Sequence, residues 1–204
     1  KLDDEIKFDV IKLPEDSEPI RTNPYLMARG IVDVPHTFYE APKSMKDRVI
    51  VPIRWQNKLI GYVARAMQDQ SPKYFAQVQP GTLFNLDNQH WSRKFVILVE
   101  GIFDAIQIDG VAILGSEIAH KQKLQIDALN RKVIVVPDRD RAGTKLIEQA
   151  CEWGWSVSMP PWGNNIKDVN DAVQQYGKIL TMQAILKYTN DSKTKIKLQE
   201  KLWI

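Results

Sequence analysis

Cysteine is nearly absent. Cys151 is the single one in 204 residues, so no disulfide can form within the chain and a cysteine-based zinc cluster has no ligands. Histidine is scarce too: His36, His90 and His120 stand apart, without the close helical spacing of a metal-binding pair, and are read as surface residues. No apolar run approaches the ~18 residues that cross a bilayer, and the charged start from Lys1 to Lys7 is unlike a secretory leader. A soluble, cytoplasmic protein with no membrane partner is expected. The net charge of +3 by itself says little about partners. The first residue is Lys1, not Met, so a longer parent chain is expected.

A 44% hydrophobic content over this length suffices for one globular domain with a small one appended. Up to about Asp47 the chain is rich in Pro and charge, with a short helix around Asn23 to Arg29 that Gly30 ends. Arg48 to Arg54 alternates, which predicts a half-buried strand with Val49, Val51 and Ile53 inward and Arg48 and Arg54 on a basic outer face. Leu59 to Met67 follows the polar turn Gln56-Asn57 as a second strand, and Lys73 to Val78 makes a third, giving antiparallel hairpins. Leu83 to Arg93 reads as a connection.

From Lys94 the pattern changes. Phe95 to Val99 is a continuous apolar run, as in a parallel strand covered by helices on both faces. Helices are expected over Ile102–Ile108, His120–Leu129, Ala142–Trp153, Asp168–Tyr176 and Ile179–Lys187, and strands over Val111–Leu114, Lys132–Val136 and Trp155–Ser158. The alternation predicts an α/β fold with a mostly parallel sheet flanked by helices, preceded by a small mixed α+β subdomain with antiparallel strands. The expected boundaries are 1–93, 94–176 and 177–204, the last a helical segment and Lys-rich tail.

Two acidic clusters fall where open parallel sheets bind ligands, just beyond strand ends. Glu100 ends the first strand, Gly101 permits a tight turn, and Asp104 comes one helical turn later. Asp138 and Asp140 alternate in an extended stretch and face one side, with Arg139 pointing away. Carboxylates converging without cations repel, so a counter-ion is required, and hard oxygen ligands select Mg²⁺ or Mn²⁺. Paired ions suit in-line displacement at phosphorus. Gly143 would leave room for a ligand. Each cluster alone is equally read as a favourable helix N-terminus or a solvated turn; their joint occurrence, with a third acidic group downstream, argues for function.

Val99-Glu-Gly-Ile-Phe-Asp104 and Pro137-Asp-Arg-Asp-Arg-Ala-Gly143 resemble the two signatures of the Toprim domain, which occurs in primases, topoisomerases, some nucleases and recombination proteins. Arg48-Val-Ile-Val-Pro-Ile53, Ile60-Gly-Tyr-Val-Ala-Arg65 and Pro72-Lys-Tyr74 resemble, in the same order, motifs of bacterial-type DnaG-like primases, especially those of tailed phages. Lys167-Asp-Val-Asn-Asp171 is similar to the acidic segment after the Toprim core there. The resemblance runs from about residue 24 to 186. It implies DNA-directed RNA polymerase activity of the primase type in DNA replication, making RNA primers by nucleotidyl transfer, in a bacterial cell and with a bacteriophage origin. Glu100, Asp138 and Asp140 would be the principal metal ligands and the catalytic set, with Asp104 and Asp168 supporting, around two or more Mg²⁺ or Mn²⁺ ions. Asn170 stands where many relatives have an acid.

The implied partners are a single-stranded DNA template, ribonucleoside triphosphates and a replicative helicase. Arg48, Arg65, Lys73, Arg141 and Lys167 are the cations expected to meet nucleotide or template. Arg54 is read equally as strand decoration. Tyr74 and Phe75 are expected in a core. The family's zinc-binding domain has neither room nor ligands in this chain. The rival readings are a Toprim nuclease or topoisomerase fragment acting on DNA phosphodiesters, and a non-catalytic module that binds nucleic acid or a helicase.

Overall fold

The computed structural model describes residues 6–203; Lys1 to Glu5, most of the charged start, lie outside the described residues, as does Ile204. Two compact units divide the chain, Lys1–Thr82 and Leu83–Ile204. The division precedes the change of pattern at residue 94 for a physical reason. Phe84 pairs with Ala112, and the Asn85 and Gln89 amides donate to the Gly110 carbonyl, so the expected connection is stitched into the second unit.

The first unit is a five-stranded antiparallel sheet in chain order: β1 (Glu18–Pro19), β2 (Tyr39–Glu40), β3 (Arg48–Trp55), β4 (Lys58–Ala66) and β5 (Tyr74–Gln77). Gln56 and Asn57 both take positive φ, 48° and 62°, the twist a two-residue hairpin needs. Helix α1 (Pro24–Ala28) begins as the sequence suggests: the Asn23 side chain accepts from the Tyr25 and Leu26 N–H groups, with Pro24 in the first turn.

Two expectations fail here. β3 is not half-buried: Ile50 is as buried as Val49, Val51 and Ile53, and Arg48 is only 3% exposed. β3 is an interior strand, and the Arg48 guanidinium lies 4.3 Å from the Phe75 ring centre while donating to the Pro72 carbonyl at 2.6 Å. Tyr74 and Phe75 are not core residues either. They are 44% and 43% exposed, because β5 is the outermost strand of its sheet.

In the second unit the sheet order is β10-β9-β8-β6-β7, built from β6 (Phe95–Val99), β7 (Val111–Ala112), β8 (Lys132–Val135), β9 (Ser156–Ser158) and β10 (Thr189–Asn190). β6 pairs in parallel with β7 and β8, and β8 with β9, whereas β10 joins antiparallel to β9 and was not anticipated. The strand expected over Val111–Leu114 stops at Ala112, and Leu114 takes φ +61°, which turns the chain away. The helices are α2 (Ile102–Ile108), α3 (His120–Asp127), α4 (Gly143–Glu152), α5 (Val169–Tyr176), α6 (Lys178–Lys187) and α7 (Lys193–Trp203). α2 packs with α5 and α6, and α4 with α7. Because β6 leads outward to β7 on one side and β8 leads outward to β9 on the other, the direction of winding reverses between β6 and β8, where such sheets open a crevice.

Among the described residues no helix is long and apolar enough to cross a membrane. The tail is a helix, α7, that buries Ile196 and Trp203. The Trp203 indole N–H donates to the Pro160 carbonyl at 3.1 Å, and the Trp203 carbonyl accepts from Arg139 Nε at 2.6 Å. Trp203→Ala is expected to destabilise the protein by about 3 kcal/mol, the usual scale for deleting a buried aromatic side chain. Urea unfolding measures it, and a loss under about 1 kcal/mol would show that α7 is only loosely seated.

Candidate functional site

Glu100 follows β6 directly, and Asp138 follows β8 after Val136 and Pro137. Since β6 and β8 are neighbours, the two positions meet at the carboxyl end of the sheet. The Asp138 N–H donates to Glu100 Oε1 at 3.1 Å, bridging the two acidic clusters. Asp104, in the first turn of α2, is buried and accepts the Asn170 N–H on Oδ1 at 2.7 Å. Asp168 caps the start of α5, taking the Asp171 N–H at 2.7 Å. Asp140 Oδ1 accepts the Ala142 and Gly143 N–H groups at 2.8 and 3.2 Å, so it holds the start of α4.

The sequence grouped Glu100 with Asp104 and Asp138 with Asp140. The structure sorts them differently. The charge that bears on Glu100 is Asp140, Asp104 feels chiefly Asp168, and Asp138 stands between and feels all four of the others. Burial, and then this repulsion, push the Asp138 carboxyl up to about 9 and the Asp104 carboxyl up to about 8. Glu100 is raised mainly by burial, against the pull of its bond from Asp138.

This donor set suits a hard divalent cation. It is all oxygen, anionic and partly or wholly buried, and among the described residues no lysine or arginine forms an ion pair with Glu100, Asp104, Asp138 or Asp140. As the side chains stand, no three His, Cys, Asp or Glu groups among the described residues come close enough together to enclose an ion. Several of the carboxylate oxygens are engaged by backbone N–H groups instead.

No family model matches the chain. The DNA primase of Thermotoga maritima is 27% identical over 151 residues, 64% of this chain and 26% of that protein. The chain thus spans about a quarter of that relative's length. Among solved structures, the DnaG primase catalytic domain bound to ssDNA matches with a TM-score of 0.58 at 20% identity, covering 81% of this chain and 61% of that one. The primase fragment of the bacteriophage T7 primase-helicase protein matches with a TM-score of 0.59 at 17% identity, covering 88% and 79%. The fold is that of the DnaG catalytic core.

Within this DnaG-like fold the five acidic residues gather in the second unit, joined by Lys167 and Arg141, both exposed. Lys167 lends its carbonyl to the Arg139 N–H at 2.7 Å. The other three cations lie in the first unit. Lys73 is exposed, whereas Arg48 and Arg65 are buried, the latter donating to the Tyr25 hydroxyl at 3.0 Å with the Tyr74 ring centre 4.5 Å away. Asn170, the expected departure from the acidic pattern, is buried and contributes its N–H to Asp104. The sequence sets Arg139 apart from the two aspartates but carries no sign that its guanidinium reaches the Trp162 and Trp203 carbonyls.

Both glycines stand at close approaches within the chain. Gly101 has φ −93°, open to any residue, and a Cβ there would lie 2.3 Å from the side-chain oxygen Asp104 Oδ2. At Gly143 the close approach is made by the chain itself. A Cβ would fall 2.3 Å from the Asp138 carbonyl oxygen and 3.2 Å from Pro137 Cβ. Gly143→Ala should therefore cost about 1–3 kcal/mol through overpacking against backbone, read as a lower Tm, and an unchanged Tm would contradict this contact.

The raised carboxyls set a pH dependence. A carboxyl whose folded pKa lies above its unfolded value stabilises the fold fully below about pH 4, and that contribution is lost as pH rises through the folded value, about 9 for Asp138. Chelator-treated protein should melt higher at pH 5 than at pH 8.5. Asp138→Asn should flatten that slope by raising the pH 8.5 melting temperature. Equal slopes for both proteins would show Asp138 to be ionised at no cost.

Proposed function

We propose that the chain is the catalytic core of a DNA primase, synthesising short RNA primers on single-stranded DNA by metal-dependent nucleotidyl transfer. The observation that carries the reading is the burial of mutually repelling carboxylates at the winding reversal between β6 and β8, where Glu100, Asp104, Asp138 and Asp140 form no ion pair among the described residues, in a chain with the DnaG catalytic-core fold. Glu100, Asp138 and Asp140 are the principal ligands in this reading, Asp104 and Asp168 supporting ones, and residues 94–176 the Toprim domain between a basic subdomain at 1–93 and a helical segment at 177–204. These residues would hold two or more Mg²⁺ or Mn²⁺ ions, which would supply positive charge to the reacting phosphate and the leaving pyrophosphate.

The chain's own groups hold and position. The α5 N-terminus, whose Asn170 N–H already meets Asp104, fixes that carboxylate's direction with the favourable sign of the helix dipole. Asp140, by accepting the Ala142 and Gly143 N–H groups, keeps the turn from Asp138 to Gly143 in one shape. Lys73, Arg141 and Lys167 are exposed cations suited to triphosphate or template phosphates. Arg48 and Arg65 support that role from behind Phe75 and Tyr74. The DNA in the matched DnaG structure and the primase-helicase origin of the phage fragment support a single-stranded template and a helicase partner. Ribonucleoside triphosphates are the substrates, and a bacterial, phage-encoded setting completes the reading.

The test incubates the protein with single-stranded DNA, ribonucleotides and Mg²⁺ or Mn²⁺, beside Asp138→Asn and Glu100→Gln. Short RNA should appear with wild type only, falling at least about a hundredfold in each variant. Strand cleavage without synthesis would replace the reading with a nuclease. Tight DNA binding with neither reaction would make the chain a passive module.

A further inference from the structure

At the opposite end of β6 from Glu100 lies a second concavity, wholly within the second unit. It encloses about 260 Å³ and is walled by Phe95, Ile97, Ile108 and Met182, with Arg93 and Lys178 at its polar side. Ile97, the lining residue of β6 nearest to Glu100, is three residues from it, about 10 Å at ~3.3 Å per residue. The volume is smaller than that of a drug-sized pocket and suits one bulky apolar side chain.

The surroundings continue the same chemistry outward. Ile179 is 78% exposed beside Lys178, and Leu186 lies on the same helical stripe as Ile179 and Met182, three and seven residues along. Trp91, 82% exposed, sits in the loop between Gln89 and Arg93, both of which line the hollow. So much uncovered apolar surface around a hollow marks an interaction site.

The charge around the hollow selects the partner. α6 carries no acidic residue. The only carboxylate lining the hollow, Asp109, is already taken, by Arg93 on one oxygen and by the Asn85 amide at 3.0 Å on the other. Lys178, exposed at the rim, has no carboxylate partner among the described residues. A basic partner would meet this uncompensated cation, and a purely apolar one would leave it bare.

We propose that this hollow and the adjoining face of α6 bind an acidic peptide segment of another protein, which seats one bulky apolar side chain between Phe95 and Met182 and sets a carboxylate against Lys178. The site is separate from the carboxylate cluster, so its occupation leaves the reaction free to proceed. It stands whether or not the chain makes primers.

The probe is a short fluorescent peptide of Asp and Ser with one central Phe, followed by anisotropy against the full chain. Saturable binding is expected, weakened at least about tenfold when Phe becomes Ala, when Asp becomes Lys, and in the Lys178→Glu and Ile179→Asp proteins. Both substituted side chains are exposed, so melting temperature and metal-dependent activity should be unchanged. Several results would overturn the proposal: no saturable binding, wild-type affinity in both variants, or displacement of the peptide by single-stranded DNA. Self-association of the chain that both variants abolish would also overturn it, by making the face a contact between copies.

Discussion

Glu100, Asp104, Asp138 and Asp140 follow the ends of two adjacent parallel strands, with Asp168 at the start of α5 after a third, and the second unit is arranged around keeping them there. Like charges at this spacing, partly out of water, are strongly unfavourable unless neutralised by protons, by N–H groups or by a cation. The chain supplies the N–H groups. Asp138 donates to Glu100, Asn170 to Asp104, Asp171 to Asp168, and the start of α4 to Asp140. Each donor belongs to a helix start or a turn directly after a strand, so the topology of the sheet and the electrostatics of the site are one arrangement. What the N–H groups leave over appears as the raised Asp138 and Asp104 pKa values.

The same turn explains the steric demands around it. Asp138 must direct its carboxylate at the crevice while its carbonyl passes within 2.3 Å of where a Gly143 Cβ would be. Arg139, between the two aspartates, points the other way and ties the turn to the Trp162 carbonyl and to the end of α7. The terminal helix, distant in sequence, thereby helps fix the acidic turn. Through Trp203, α7 also anchors to Pro160, ahead of the segment that carries Lys167 and Asp168.

Much of this was legible in the residues, for reasons that also explain the failures. Phe95 to Val99 is an unbroken apolar run because both its faces are covered, so the strand and the position of Glu100 after it could be read directly. Asn23-Pro24 and Gly30 bracket α1 by local capping chemistry, which needs no tertiary context. β10 was missed because two residues carry no periodicity. Arg48 and Phe75 were misjudged together: a cation alternating with valines reads as solvent-facing, and an aromatic in a strand reads as core, unless the strand order is known. The grouping of Glu100 with Asp138 and Asp140, and of Asp104 with Asp168, came from the motif resemblance and not from local spacing, because residues distant in sequence meet where β6 and β8 end side by side.

The exchange between Arg48 and Phe75 has a physical logic. An outer strand with two exposed aromatic rings would ordinarily invite pairing with another chain, and β5 is only four residues long, a length that limits such pairing. The Arg48 and Arg65 guanidiniums, buried at the cost of their hydration, recover part of it against the Phe75 and Tyr74 ring faces, an interaction on the order of 0.5–2 kcal/mol apiece. Arg48 recovers more from the Pro72 and Lys73 carbonyls, so the same side chain that supports the ring also fixes the backbone entering β5. The rings are therefore oriented by the cations behind them and not by a hydrophobic core. They stay at the surface because leaving it would strip those cations of the partners that make their burial tolerable.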